Sequence, residues 1–486
     1  MRLRITAPIG LAATGACFVA MGAAAPALAG GDPDTTFGSN GRLTTEFGGA
    51  FDWIRDLAID AQGRILGVGT GGSSNRHAIA RYLPSGAPDP SFSGDGQMIT
   101  TVDFSSGGPG VIPLPDGTIL VGVGLGSPRN FAVMKLLDNG SLDLSFGAGG
   151  IAEIAGANQA RVGALALQPD GKIIIGGYDL IGSNWNWVIG RFTPEGDVDV
   201  DFGVDGKAVI DFSRPEIQSP IDFLVSLLLL PNGKVLAGGL TSTTSQMSTG
   251  NRIYAMARLN PDGSLDDAFP GAGRHVFSYT VTGFQQENIS DLILLPDGKV
   301  LGSSGGGSET ALIRFNADGA IDTTFGVEGR IVAPAGAAYR NPLDIELDVV
   351  NGILAAGDFA VTRFFLNGEI DASFGVDGTA SVNWGTQTQG ALALTQTPEG
   401  RILLGGFSGT ANVDTDWSLA AFTPGVSCPG DVDGDDDVDI ADLARVLSGF
   451  GSQPATLSDG DIDGDDDVDI FDLSLALRFF GTVCDG

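Results

Sequence analysis

Residues 165–212 read LALQPDGKIIIGGYDLIGSNWNWVIGRFTPEGDVDVDFGVDGKAVIDF and hold one unit of a pattern that fills most of the chain. An alternating run breaks at Pro169-Asp170-Gly171 and resumes as the short apolar run KIIIGG. Asp-Gly between apolar runs signals a tight β-hairpin, because the turn needs backbone dihedrals that Gly adopts freely. A third strand, WVIGRFT, runs into Asp199-Val200-Asp201-Phe202-Gly203, and KAVIDF supplies a fourth.

The hairpin signature recurs at Gly63, Gly117, Gly171, Gly233, Gly298, Gly352 and Gly400. The Asp-x-x-Phe turn recurs at Phe37, Phe92, Phe146, Phe202, Phe269, Phe325 and Phe374, mostly about 55 residues apart. Four strands per unit and seven units predict an all-β chain folded as a seven-bladed β-propeller. A linear β-solenoid, an eight-bladed ring or two smaller rings are the alternatives. The chain ends favour a closed ring: the first Phe-Gly turn, Asp34 to Gly41, has no strand before it, and the last strand, SLAAFTPG, has no such turn after it. Joined, they complete one blade and remove an open sheet edge.

A charged pair recurs with the unit. Arg81, Lys135, Arg191, Arg258, Arg314 and Arg363 each stand eight residues before Asp89, Asp143, Asp199, Asp266, Asp322 and Asp371. A residue needed in every blade builds the fold, so the expected role is to brace the turn. In the split copy Ala421 stands where Arg would be, opposite Asp34, so the closing blade is expected to lack its brace.

The chain has 486 residues, 59 acidic and 26 basic, a net charge of −33. That balance argues against a nucleic-acid partner, since phosphate contacts need Lys and Arg. Arg2 and Arg4, an apolar stretch to about Ala25, and Ala27-Leu28-Ala29 read as a signal peptide over residues 1–29. No later run is long and apolar enough for a transmembrane segment. The expected location is secreted, extracellular or associated with the cell surface. With Cys17 removed, Cys428 and Cys484 remain, and an even pair in an exported chain most simply forms one disulfide.

After the repeats (residues 30–425) the composition changes. Residues 428–486 carry 16 Asp against two Arg, a net of −14. Two copies of Asp-x-Asp-Gly-Asp-Asp-Asp-Val-Asp-Ile stand 30 residues apart. As a loop around a hard cation, the first offers Asp431, Asp433, Asp435, the Asp437 carbonyl, Asp439 and Asp442 at positions one, three, five, seven, nine and twelve. The second offers Asp461, Asp463, Asp465, Asp467, Asp469 and Asp472. Six oxygens converging from one loop suit Ca2+, so two ions are expected. A helix should follow each loop, with Leu443, Val446, Leu447 and Phe450 on one face of the first and Leu473, Leu477 and Phe480 on one face of the second. Val438 and Val468, at position eight, are expected to pair the loops.

The repeats resemble the delta-60 repeat, a bacterial family joining a Pro-Asp-Gly-Lys hairpin to a Leu-Asp-x-x-Phe-Gly-x-x-Gly turn. This implies a propeller-like extracellular repeat and no established activity. The tail, two half-EF-hands each ending in Asp, resembles a type I dockerin. That resemblance implies docking onto a cohesin-like module or a cell-surface scaffold protein, often in the company of polysaccharide-degrading enzymes. The chain departs from the dockerin pattern at loop positions ten and eleven, Ile440-Ala441 and Ile470-Phe471, where small polar recognition residues are common.

No catalytic motif stands out. His77 and His275 are the only histidines, and neither lies in a nucleophile or metalloprotease motif. The leading reading is a secreted, non-enzymatic binding or scaffold protein tethered by its tail. The alternative is a carbohydrate-active glycoside hydrolase or polysaccharide lyase using paired carboxylates. Trp53, Trp185, Trp187, Trp384 and Trp417 do not repeat; Trp185 and Trp187 could stack on polysaccharide or pack between blades.

Overall fold

The hairpin turns form as their sequence requires: Gly63 sits at φ 73° and its N–H donates to the Asp60 carbonyl at 2.9 Å. In the first complete blade, Trp53–Ile59, Ile65–Gly71, Arg76–Tyr82 and Gln97–Ile99 pair antiparallel in that order. The chain is thereby an all-β, seven-bladed propeller of seven four-stranded sheets, six of them built from consecutive strands. The seventh joins the N-terminal strand Arg42–Thr45 to Asp414–Phe422, Ile402–Thr410 and Thr388–Gln396, so the split motif closes the ring. This computed structural model describes residues 30–480 apart from 50, 73–75, 101–109, 127–128, 157, 214–220, 243–251, 280–286, 306–309, 333–342, 349–351, 373, 387, 411–413, 425–431, 433–437, 454, 456–458 and 463–467.

The cores lie between blades. Ile174 and Trp187 of one blade pack with Leu224, Leu227 and Val235 of the next, while Leu57 and Ile65 pack with Trp417 and Leu419 across the closure. Each sheet therefore buries both faces, which explains a hydrophobic fraction of 43%. Close approach demands small residues: a Cβ on Gly176 would come within 2.8 Å of Leu227 Cδ1.

The recurring charged pair does brace the turn, and it also clamps neighbouring blades. Nε of Arg81, Arg191, Arg258, Arg314 and Arg363 lies 2.6–2.8 Å from Oδ2 of its Asp. Each guanidinium covers the Phe of its own turn at 4.5–5.0 Å. Its Nη1 then donates to a carbonyl of the following repeat: Asp138, Pro261, Ala317, Leu366 and Pro424 respectively. The same Phe lies against the turn glycine of that repeat, where a Cβ on Gly140 would stand 3.0 Å from the Phe92 ring.

The closing blade is not left unbraced, contrary to the sequence expectation. Arg401, from the last hairpin, reaches Asp34 Oδ2 at 2.6 Å. It holds the position after the turn glycine, and the same position in other blades supplies a second cation, as in Lys172–Asp199 and Lys234–Asp266, both 2.8 Å. This cation falls outside the spacing of eight because it lies on a different strand from the first.

In the tail, α1 (Ile440–Gly449) and α2 (Ile470–Phe479) are the helices among the described residues, and neither is long and apolar enough to cross a membrane. The apolar face expected of each helix is only partly covered. Val446 is buried and Leu443 packs beside it, yet Leu447 and Phe450 are 55% and 50% exposed. In the second copy Leu473 packs on the core while Leu477 and Phe480 stay 56% and 48% exposed. Each helix thus divides its apolar residues between core and surface, because a two-helix unit has only one small core to cover.

Candidate functional site

In an antiparallel four-stranded blade, the turns after the first and third strands lie at one end of the ring. The loop between the second and third strands, and the crossing to the next blade, lie at the other. The first end carries the repeated turns and clamps. There the innermost strands surround a cavity of about 310 Å³ lined by Asp60, Pro113, Leu167, Glu346 and Gln396 among others. Asp60 is committed to its turn, accepting from the N–H groups of Gln62 and Arg64 and pairing with Arg64 at 2.6 Å.

The other end carries what does not repeat. Two blades have second and third strands of nine residues, Ile173–Ile181 with Asn184–Phe192 and Ile402–Thr410 with Asp414–Phe422, against seven in the first two blades. At the same register in both, an aromatic on the second strand stacks on one from the next blade's innermost strand. Phe407 meets Trp53 at 4.7 Å and 23°, and Tyr178 meets Phe223 at 4.2 Å and 29°. Trp185 stands edge-on to both Tyr178 and Phe223. These five rings are half-buried.

Of the tryptophans singled out in sequence, Trp187 and Trp417 are fully buried between blades, so Trp187 cannot form a platform with Trp185. Trp384 is half-buried beside Phe359. Trp185 and Trp53 remain accessible, Trp53 anchored by Nε1 donating to Thr415 Oγ1 at 2.9 Å.

Acids gather beside Trp53. Burial pushes the Asp52 carboxyl up despite N–H donors from Phe47, Gly49 and Gly72, and nearby Asp414 adds to the rise. Burial also raises Asp416, reinforced by Asp414, Glu46 and Asp52. Asp52 is fully buried, with both oxygens holding loop N–H groups, so it fixes the crossing loop.

In the tail, the two position-twelve carboxylates behave identically. Asp442 accepts from Val432 N–H and Asp439 N–H at 2.6 and 2.8 Å; Asp472 accepts from Ile462 N–H and Asp469 N–H at 2.6 and 2.7 Å. Both are fully buried. Asp439 caps α1 through a bond from Ala441 N–H, and Asp461 is 5% exposed. Val438 and Val468 are buried. Asp431, Asp433, Asp435, Asp437, Asp463, Asp465, Asp467, Cys428 and Cys484 lie outside the described residues, as do residues 1–29. Among the described residues no three metal-binding side chains converge.

A family model described as a β-propeller domain of unknown function (DUF5122) matches residues 62–92, 114–146, 168–202, 230–269 and 295–325, each stretch running from a hairpin turn to the Phe of the following Asp-x-x-Phe turn. A search of curated proteins finds no match. Among solved structures, the chain is similar to the α-L-arabinanase of Penicillium chrysogenum, at 13% identity over 78% of this chain and 98% of that one, with TM-score 0.43. It is also similar to Sqt1 of Chaetomium thermophilum bound to the N-terminus of ribosomal protein L10, at 12% identity over 79% and 99%, TM-score 0.45. The polysaccharide lyase Uly1 matches at 11% identity over 76% and 77%, TM-score 0.33.

Proposed function

We propose that this is a secreted, non-enzymatic binding protein of the delta-60 repeat type, whose propeller presents a ligand surface and whose dockerin-like, Ca2+-loaded tail attaches it to an extracellular or cell-surface module. The observation that carries the tail reading is the matched pair Asp442 and Asp472. The two are fully buried and stand 30 residues apart, each drawing positions two and nine of its own loop together by the same pair of backbone hydrogen bonds. All-oxygen donors of this kind fit calcium. Asp461, Asp442 and their copies would hold the ions, which would draw each loop closed and offset its charge.

The partner would be a cohesin-like module or scaffold protein engaging the exposed apolar residues Ile440, Leu447 and Phe450, or their copies Ile470, Leu477 and Phe480. Calorimetry on the whole chain should show two calcium sites, with Asp431→Ala and Asp461→Ala each removing one; unchanged stoichiometry would refute the reading. A second reading, a carbohydrate-active enzyme, draws on Asp416, whose carboxyl is raised by burial and by Asp414, Glu46 and Asp52, close to the half-buried Trp53. Turnover of a polysaccharide abolished by Asp416→Asn would replace the binding reading with that one.

A further inference from the structure

Wherever an arginine covers an aromatic ring in the repeated clamp, an aspartate completes it: Arg191, for example, lies over Phe202 at 4.7 Å with Asp199 at 2.7 Å. Arg161 has the rings without the acid. Its guanidinium lies 5.5 Å from the Trp185 ring centre and 6.0 Å from that of Tyr178, it makes no ion pair with any described residue, and its Nε is buried without a hydrogen-bond partner. Arg161, Tyr178, Trp185 and Phe223 are all half-buried, at the end of the ring away from the repeated turns. Trp185 stands on the lengthened part of its hairpin, beside the Gly182 turn. Arg55 likewise makes no ion pair with a described residue where it covers Trp53 at 4.6 Å, but Asp52 precedes that tryptophan and Asp414 and Asp416 flank Thr415, its hydrogen-bond partner, so the local charge opposes an anion there.

We propose that Arg161, Tyr178 and Trp185 form a subsite for a carboxylated sugar ring, the ligand's carboxylate supplying the negative partner that aspartate supplies in every complete clamp. A guanidinium binds a carboxylate through paired N–H donors, and a half-exposed indole offers an apolar face to a sugar ring. With a net charge of −33 the chain repels dense polyanions, so the ligand is a short or sparsely charged uronate oligosaccharide. The proposal rests on the propeller being a binding module.

Calorimetry of the full secreted chain with trigalacturonate and with its methyl ester tests it. The acid should bind at least roughly tenfold tighter than the ester, and added salt should weaken the acid alone. Arg161→Met should abolish the discrimination, Arg161→Lys should restore part of it, and Trp185→Ala should weaken acid and ester alike, all with an unchanged unfolding midpoint. If Arg161→Met fails to fold, the acid–ester comparison and Trp185→Ala still decide. Equal binding of acid and ester, or full affinity in Arg161→Met, overturns the subsite. A neutral oligosaccharide that binds while trigalacturonate does not overturns the subsite and leaves the binding module standing. Binding of neither overturns both.

Discussion

Gly319 and Gly298 show how position decides the cost of one methyl group. Both have positive φ, 94° and 83°, but a Cβ on Gly319 would strike the Phe269 ring whereas one on Gly298 meets nothing within 4 Å. Gly298→Ala should cost about 1 kcal/mol in denaturant unfolding, the price of the left-handed conformation alone. Gly319→Ala should cost at least about 2 kcal/mol more, because the inter-blade contact must also open. Equal costs would show that the Phe does not lock the neighbouring turn. The clamp acids set a pH dependence as well. Burial pushes Asp322 up, but the Thr324 hydroxyl and N–H, with Arg314 and Lys299, outweigh it and hold the carboxyl down at about 2. A depressed folded value means that this contribution is present above the ordinary carboxylate range and is lost as pH falls from about 4 towards 2. Asp322→Asn should flatten that part of the acid-unfolding profile.

At the scale of elements, the N-terminal strand Arg42–Thr45 completes the last blade with a brace different from the rest. Elsewhere the cation eight residues before the Asp does most of the holding; here Arg401 acts in its place. Arg401→Met should therefore destabilise by about 1–3 kcal/mol and speed proteolysis near residue 34, because the half-exposed pair is worth less than a buried one but holds the turn that leads into the ring-closing strand. Lys234→Met, which leaves Arg258 on Asp266, should cost less than about 1 kcal/mol. If the two cost the same, the seventh blade has a further brace. The repeat was legible because each unit needs its own Gly turn, its own Asp and its own Phe. The Arg401 brace was not, since its spacing to Asp34 spans nearly the whole propeller.

For the whole molecule, charge and closure govern behaviour. Calcium should raise the stability of the tail by about 2.7 kcal/mol per site at a hundredfold excess over Kd, and chelation should expose it to protease while the ring survives. Proteolysis of the ring on chelation would mean that its stability depends on the tail. Deleting residues 30–45 should remove the strand that seals the seventh sheet and the bond from Asp34 N–H to the Ala421 carbonyl. The expected result is association through the open edge, seen as a rise in mass by light scattering.

Local sequence suffices for the seven units, the four strands in each, the closing of the ring by the two halves of one split motif, and the positions of the paired carboxylates in the tail. These are local in origin: a turn needs Gly, a strand needs alternation, and the tail writes one Asp pattern twice, 30 residues apart. Which conspicuous residues are accessible depends on how the blades and helices pack. Trp185 and Trp187 are two apart in sequence, yet one is half-exposed and the other buried against Phe212. Leu443 and Leu447 lie on neighbouring turns of α1, yet one packs and the other faces solvent. Arg161 is like any other arginine in sequence, and only the fold sets it against the Trp185 and Tyr178 rings with no acid paired to it among the described residues. Accessibility and partnership depend on what the next blade or helix places alongside, and one strand's sequence does not contain that.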